Sequence, residues 1–182
     1  MKRKNLFFVS ALILFGLANV NSVKAQSDEV TVNIKFRPIQ TIVVNDGKKV
    51  VDFLYETPEN YQTGIAPITV VDQLTVNSTG SFIVNVTSTD FATTTTGFSS
   101  IPANDMTVTA IKGTGNNRSN YTIPDVVLTN SNQPFITSTG GGMGLNFNVK
   151  YDNTGFDETY VDKVKNAETT YIATVTYTIM SN

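Results

Sequence analysis

Short segments in which apolar and polar residues alternate recur along the chain and predict a β-sheet protein. Residues 30–36, 82–86, 145–151 and 171–179 each place apolar side chains at every second position. Successive side chains of a strand point to opposite faces, so this pattern indicates strands with one face on a core and one in water. Ile83 adds an apolar residue on the second face of its segment, and we expect that strand to be central. We expect the last strand also to lie inside a sheet.

Turn signals divide these segments. Asp46 and Gly47 supply the positive φ of a tight turn and predict a hairpin between strands at 41–44 and 49–55. Residues 56–67 are rich in Pro, Asn and Gly, and we expect a loop there.

The remaining segments are more ambiguous. Pro124 and Pro134 favour edge or irregular pairing for strands at 121–128 and 134–137. Apolar residues at helical spacing predict one helix at 157–167, although an isolated helix so short is marginal. Two further strands are expected at 68–76 and 106–112.

Eight to ten short strands separated by turns predict an all-β protein, specifically an antiparallel β-sandwich of the Ig-like, Greek-key type. A closed barrel is the alternative. We expect residues 26–182 to form a single domain, since that length suits one hydrophobic core.

The N-terminus has the pattern of a secretory signal. Lys2, Arg3 and Lys4 precede an apolar run at 6–17, and Ala25 ends the segment. The run is shorter than the roughly 20 residues that cross a membrane, and no longer one follows. We therefore expect cleavage before Gln26, no membrane span in the mature chain, and a location at the cell surface or outside the cell.

Composition narrows the function. Of 13 Lys and Arg residues, four lie in the signal, so nine remain against 15 acidic residues, a net charge of −6. That balance argues against a nucleic-acid partner. The absence of Cys means that no disulfide stabilises the exported chain.

The chain lacks the usual catalytic side chains. It has no His and no Cys, so neither Ser-His nor Cys-His nucleophiles can form, and zinc and copper lose their preferred ligands. We expect a non-catalytic protein without a cofactor. A hydrolase that uses two carboxylates is the remaining enzymatic alternative.

Calcium is the one metal that the residue types leave open. Asp152, Asp157 and Glu158 concentrate oxygen donors around the turn at Gly155. Their spacing departs from that of an EF-hand, and we favour a solvated turn.

The aromatic residues fall into two sets. One set lies in alternating register and is interpreted as core: Phe36, Phe82, Phe147 and Tyr177. The other lies in or beside loops and forms the candidate binding surface: Tyr61, Phe98, Tyr121 and Phe156.

Two segments contain an aromatic-x-aliphatic triplet, Phe82-Ile83-Val84 within 74–91 and Tyr177-Thr178-Ile179 within 171–179. Residues 68–182 thereby resemble the WxL-type bacterial surface domains, which have Trp-x-Leu at both places. The resemblance implies a secreted β-sandwich held noncovalently on the cell wall. The Tyr-rich last strand also resembles the closing strands of fimbrial subunits.

Together these features predict a cell-envelope protein that binds rather than catalyses. Its partner would be a cell-wall polymer, a glycan or a surface protein, recognised by loops as in an adhesin. The alternative is a fimbria-like subunit that self-assembles, with residues 28–36 or the last strand pairing to an exposed edge of another copy.

Overall fold

Nine strands account for most of the regular structure in the computed structural model, which describes residues 24–153 and 158–182. Their bounds are β1 Gln40–Val44, β2 Ile68–Ser78, β3 Phe82–Ser88, β4 Met106–Lys112, β5 Tyr121–Thr122, β6 Asp125–Val127, β7 Gln133–Ser138, β8 Gly142–Asn153 and β9 Val175–Ser181. One α-helix, α1, spans Pro58–Thr63, and short 3-10 turns occur at Ala103–Asp105 and Val161–Lys163. No helix among the described residues is both long and apolar enough to cross a membrane.

The strands form two antiparallel sheets. Sheet I has five strands in the order β1-β2-β8-β4-β6, and sheet II has four in the order β5-β7-β3-β9. The predicted all-β sandwich is confirmed, because these are two separate sheets and not one closed barrel.

The core lies between the inward faces of the two sheets. Leu74, Phe147 and Val149 from sheet I and Phe82 and Phe135 from sheet II are fully buried. The alternation seen in the sequence follows directly from this packing, since every second side chain of each strand reaches the opposite sheet.

β3 is central, as its two apolar faces predicted, and pairs with β7 and β9. The last strand, β9, is not central. β9 pairs with β3 on one side and is the edge of sheet II, so the prediction that it lies inside a sheet is wrong. It also starts at Val175, because Ile172 makes only an isolated bridge to Ala92.

Residues 30–36 do not form the predicted strand. Within the described part of the chain they pair with no other strand, and Val30, Val32, Ile34 and Phe36 are 76–90% exposed. The assignment of Phe36 to the core is therefore wrong, whereas Phe82 and Phe147 are fully buried and Tyr177 packs against the core. Alternation reports an amphipathic segment, but only a neighbouring edge turns it into a strand.

The first strand and the turn of the predicted hairpin are correct, but its second strand is not. Gly47 has a φ of +74°, and Lys48 N donates to Asn45 O at 3.1 Å. β1 then pairs with β2, not with residues 49–55. Those residues pack Val51 and Phe53 against the core without joining a ladder.

The loop predicted at 56–67 contains a short helix, and the helix predicted at 157–167 is wrong for its described residues. The first segment contains α1, whose start is stabilised by a capping box between Thr57 and Asn60, with Pro58 in the first turn. The second segment contains only the 3-10 turn Val161–Lys163 among its described residues. Unlike α1, this turn has no side-chain cap at its start.

A bulge in β2 joins sheet I to the neighbouring loop. Asp72 has a φ of +49° where the pairing with β8 shifts between Val70 and Leu74. Its carboxylate accepts a hydrogen bond from Thr114 N at 2.7 Å, which holds the pKa of Asp72 below its ordinary value. Gly113 lies directly beneath this carboxylate, and a Cβ there would sit 2.9 Å from the carbonyl carbon of Asn146.

We expect Gly113→Ala to lower the free energy of unfolding by about 1–3 kcal/mol, because the added methyl meets backbone that cannot move away. Urea denaturation measures the change. Gly80→Ala is the matched control, since a Cβ there has open space and the backbone needs no positive φ. Equal stability of the two variants would contradict the close approach at the bulge.

Candidate binding cleft

A cleft of about 410 Å³ opens between the two sheets on the side where β1 and β9 form their edges. Val44 and Phe53 line one wall, Phe91 and Val175 line the other, and Tyr177 lies at the floor. The cleft is lined mostly by apolar surface, so its chemistry suits the burial of hydrophobic side chains.

The wall of sheet I exists because the chain leaves the sheet after β1. Asn45 N donates to Gln73 O at 2.9 Å and ends the ladder, and the turn redirects the chain. Val51 and Phe53 then fill part of the space below β1, while the alternate residues Val50 and Leu54 stay 74% and 59% exposed. The segment thus covers the cleft incompletely.

The wall of sheet II is the inward face of β9. Val175, Tyr177 and Ile179 pack against the core but are only partly buried. Fully buried residues occupy the equivalent positions of the adjacent strand β3, for example Val84 and Val86. The difference arises because β9 has a strand on one side only.

A polar network crosses the floor of the cleft. The hydroxyl of Tyr151 donates to Gln73 Oε1 at 2.8 Å and lies 2.9 Å from the hydroxyl of Tyr177. Gln73 Nε2 donates to Lys48 O at 2.7 Å. Burial raises the pKa of both tyrosines, so the phenols stay neutral and the network carries no charge. It links β2, β8 and β9 and thereby ties the two sheets together at this point.

A second group of aromatic residues lies at the loop end of the sandwich beyond β4 and β8. The ring of Tyr55 lies 5.3 Å from that of Tyr61 and 5.4 Å from that of Tyr160. The hydroxyl of Tyr55 donates to Asn153 Oδ1 at 2.7 Å, and that of Tyr160 to Asp105 Oδ2 at 3.0 Å. Burial, with smaller contributions from Tyr61 and Asp105, raises the pKa of Tyr55 to about 12.

Two of the four aromatic residues of the candidate binding surface, Tyr61 and Phe98, each contact the segment 158–165. Tyr61 O accepts from Glu158 N at 2.8 Å, and Lys165 Nζ lies 5.5 Å from the ring centroid of Phe98, so both border the segment 158–165. Phe156 lies outside the described residues.

Tyr121 lies at the opposite end of the sandwich. Its ring packs 5.1 Å from that of Phe147 and 6.5 Å from that of Phe82, and its hydroxyl donates to Asn116 Oδ1 at 2.9 Å. It therefore extends the core instead of joining Tyr61 and Phe98.

Two of the three calcium candidates lie within the described residues. Asp152 is partly buried on β8, Glu158 is exposed with a φ of +61°, and Asp157 lies outside the described residues. Within residues 24–153 and 158–182, no three acidic side chains lie close enough to hold a metal ion.

Sequence reasoning missed Tyr55, Tyr160 and Gln73. Tyr55 was assigned to a hairpin strand and Tyr160 to a helix, and both assignments were wrong. Gln73 is a buried polar residue beside Asp72 in β2, and the sequence carries no signal that sets it apart from the exposed polar residues of the same segment.

Comparison with known proteins identifies no relative of this chain. No protein-family model matches the chain, and a search of curated proteins finds no match. The resemblance to WxL-type domains stays a prediction.

We expect the stability of the protein to fall between pH 10 and pH 12. Tyr55 keeps its proton up to a pKa of about 12 in the folded chain but ionises near 10 in the unfolded chain. The stabilisation is thus complete below pH 10 and is lost as the pH rises through 12.

Urea denaturation from pH 8 to pH 12 measures this effect, with Tyr55→Phe as the comparison. The free energy of unfolding of Tyr55→Phe at pH 8 reports the loss of the hydrogen bond to Asn153. The change of that free energy with pH above pH 10 reports the loss of the Tyr55 ionisation. We expect a shallower alkaline decline in the variant. Parallel declines would contradict the raised pKa.

Proposed function

We propose that this chain is an exported, non-catalytic cell-envelope protein that assembles with copies of itself by strand pairing. The observation that carries the proposal is the segment 30–36, whose apolar side chains alternate and lie 76–90% exposed. A sequence with the pattern of a strand and no strand partner among the described residues is suited to pair with another chain.

The energetics favour burial of this segment. Hiding one Val, Ile or Phe side chain from water stabilises a protein by about 1.5–3 kcal/mol. In an extended conformation Val30, Val32, Ile34 and Phe36 would share one face of the segment. Burial of that face in a second copy would recover this free energy, at the cost of ordering the chain.

The sandwich offers open edges to accept a strand. β1 and β9 each have a strand partner on one side only, and the cleft between them is largely apolar. Unpaired edges present backbone donors and acceptors to any extended segment. One chain therefore contains both a segment that can add to a sheet and an edge that can receive such a segment. Open-ended assembly requires both in the same chain.

An envelope location is supported by the N-terminal pattern of basic residues, apolar run and small residue at Ala25. A binding role without catalysis is supported by the lack of His and Cys and by the apolar character of the cleft. The tyrosines at the cleft floor stay neutral and already bond to each other and to Gln73.

We expect residues 26–182 to form a ladder of oligomers in size-exclusion chromatography with light scattering at high concentration. The double variant Val32→Asp and Ile34→Asp should be monomeric, because two carboxylates on the apolar face cannot enter a core unpaired.

The matched control is Thr31→Asp with Asn33→Asp, which adds the same charge on the polar face of the same segment. We expect it to oligomerise like the unmodified chain. A strictly monomeric unmodified chain would refute assembly.

Recognition at the loop end is a second candidate function. Tyr61 and Phe98 border the same segment, 158–165, and both are partly exposed. Partly exposed aromatic rings are common anchors for partner proteins and glycans. A cell-wall polymer, glycan or surface protein would be the ligand.

A pull-down with peptidoglycan tests this second candidate. We expect Tyr61→Ala with Phe98→Ala to reduce the bound fraction by about tenfold. Met143→Ala is the control, since Met143 is an exposed apolar residue at the start of β8, at the other end of the sandwich. The loop end would be excluded as the wall-binding site if peptidoglycan retained both variants equally. It would also be excluded if peptidoglycan retained none of the unmodified chain.

A further inference from the structure

We infer that the cleft between the two sheets binds a single-chain alkyl carboxylate, with its tail between the sheets and its carboxylate on Lys49. This binding goes beyond the proposed assembly and does not depend on it. Three features of the cleft support it: a closed end, a floor whose polar groups are already paired, and a single cation at the mouth among the described residues.

The cleft is closed at one end and open at the other. The edge strands β1 and β9 contact each other, and at one end of both strands Ser181 Oγ donates to Gln40 Oε1 at 3.3 Å. The lining residues Val44 and Val175 lie at the opposite ends of the same two strands. The volume of about 410 Å³ falls within the range of roughly 300–1,000 Å³ that is typical of small-molecule sites. A small molecule is therefore a suitable occupant.

The polar side chains at the floor of the cleft are already paired. The hydroxyl of Tyr151 bonds to Gln73 and to the hydroxyl of Tyr177, and Gln73 Nε2 donates to Lys48 O. In the part of the chain that the structure describes, no buried side-chain polar atom lacks a hydrogen-bond partner. A polar or charged group of a ligand would lose its water at the floor without compensation. The buried part of the ligand must therefore be apolar, and an alkyl chain meets that requirement.

Lys49 supplies a positive charge at the mouth of the cleft. It is the one charged residue among the described residues that line the cleft, and its side chain is 61% exposed. Its Nζ pairs with Asp46 Oδ1 at 2.9 Å, and the side chain of Asp46 is 97% exposed. An ion pair so exposed is weak, so the carboxylate of a ligand can replace that of Asp46. The lining thus fits a molecule with an apolar body and one negative end.

A series of unbranched carboxylates tests the tail. Hexanoate, octanoate and decanoate, each below its micelle concentration, are titrated calorimetrically into the chain with Val32→Asp and Ile34→Asp, so that residues 30–36 do not compete for the cleft. Each acid buries two more CH₂ groups than the one before, and we expect its affinity to be about tenfold higher. An affinity that does not rise with chain length, or no binding of decanoate, would overturn the inference.

Two substitutions at the mouth test the carboxylate. Lys49→Gln should weaken the binding of decanoate by about threefold, because the charge partner is lost. Asp46→Asn should strengthen it, because Lys49 then has no competing carboxylate. Neither substitution should change the binding of decanol, which has the same chain and no charge.

Lys112→Gln is the matched control for the charge, since Lys112 is exposed and lies outside the cleft lining. We expect this variant to bind decanoate like the unmodified residue. Equal losses in Lys112→Gln and Lys49→Gln would place the carboxylate elsewhere and would contradict the inference.

Ala173→Phe tests whether the tail enters the cleft. Ala173 lines the cleft, and a phenyl ring there would occupy the space of the tail. We expect decanoate and decanol both to bind at least about tenfold more weakly. Thr176→Phe adds the same ring on the exposed outward face of β9 and should leave both affinities unchanged. Equal affinities of the two variants would rule out binding in the cleft.

A labelled peptide of residues 26–37 reports the other occupant of the cleft, an extended strand. Displacement of this peptide by decanoate would support the inference. If Ala173→Phe blocks the peptide but decanoate neither binds nor displaces it, the cleft takes a strand and the inference is wrong. The proposed assembly would remain intact after that result.

Discussion

Apolar packing between two sheets of unequal size is the constraint on which the structure depends. The chain has no disulfide, so burial of side chains such as Phe82, Phe135 and Phe147 must hold the sheets together. On the side where the edge strands β1 and β9 contact each other, a largely apolar cleft lies between the two sheets. Val51 and Phe53 line this cleft without entering a ladder. The same packing that stabilises the sandwich therefore also creates its unsatisfied surface.

The alternation of apolar and polar residues predicted correctly which side chains of a strand face the core. In β8, Leu145, Phe147, Val149 and Tyr151 all turn inward as their spacing indicated. Partners were predicted poorly. Residues 30–36 alternate as strictly as β8 but have no strand partner among the described residues, because alternation alone does not specify which edge a segment pairs with. The edge position of β9 depends in the same way on the order of all the other strands.

The candidate site was accessible to sequence reasoning only in part. Residue types excluded the common catalytic arrangements, and residues 28–36 or the last strand were predicted to pair with another copy. The cleft itself was not predictable, because Tyr151 lies 78 positions from Gln73 and 26 from Tyr177, and the three residues meet only through the sheet order. The grouping of Tyr55 with Tyr160 likewise results from a loop contact that leaves no local periodic signal.

The edge strands of this sandwich differ in how well they are protected from pairing with another chain. At the β6 edge of sheet I, Asp125 and the preceding proline disfavour pairing with another strand. At the β5 edge of sheet II, the strand is too short to accept one. β9 carries neither charge nor proline along seven residues. An unprotected edge is an aggregation hazard unless a defined partner occupies it. Occupation of that edge by a second copy would stabilise the folded chain by mass action, since the partner binds only the folded state. In a chain without disulfides, assembly and stability would then be the same interaction.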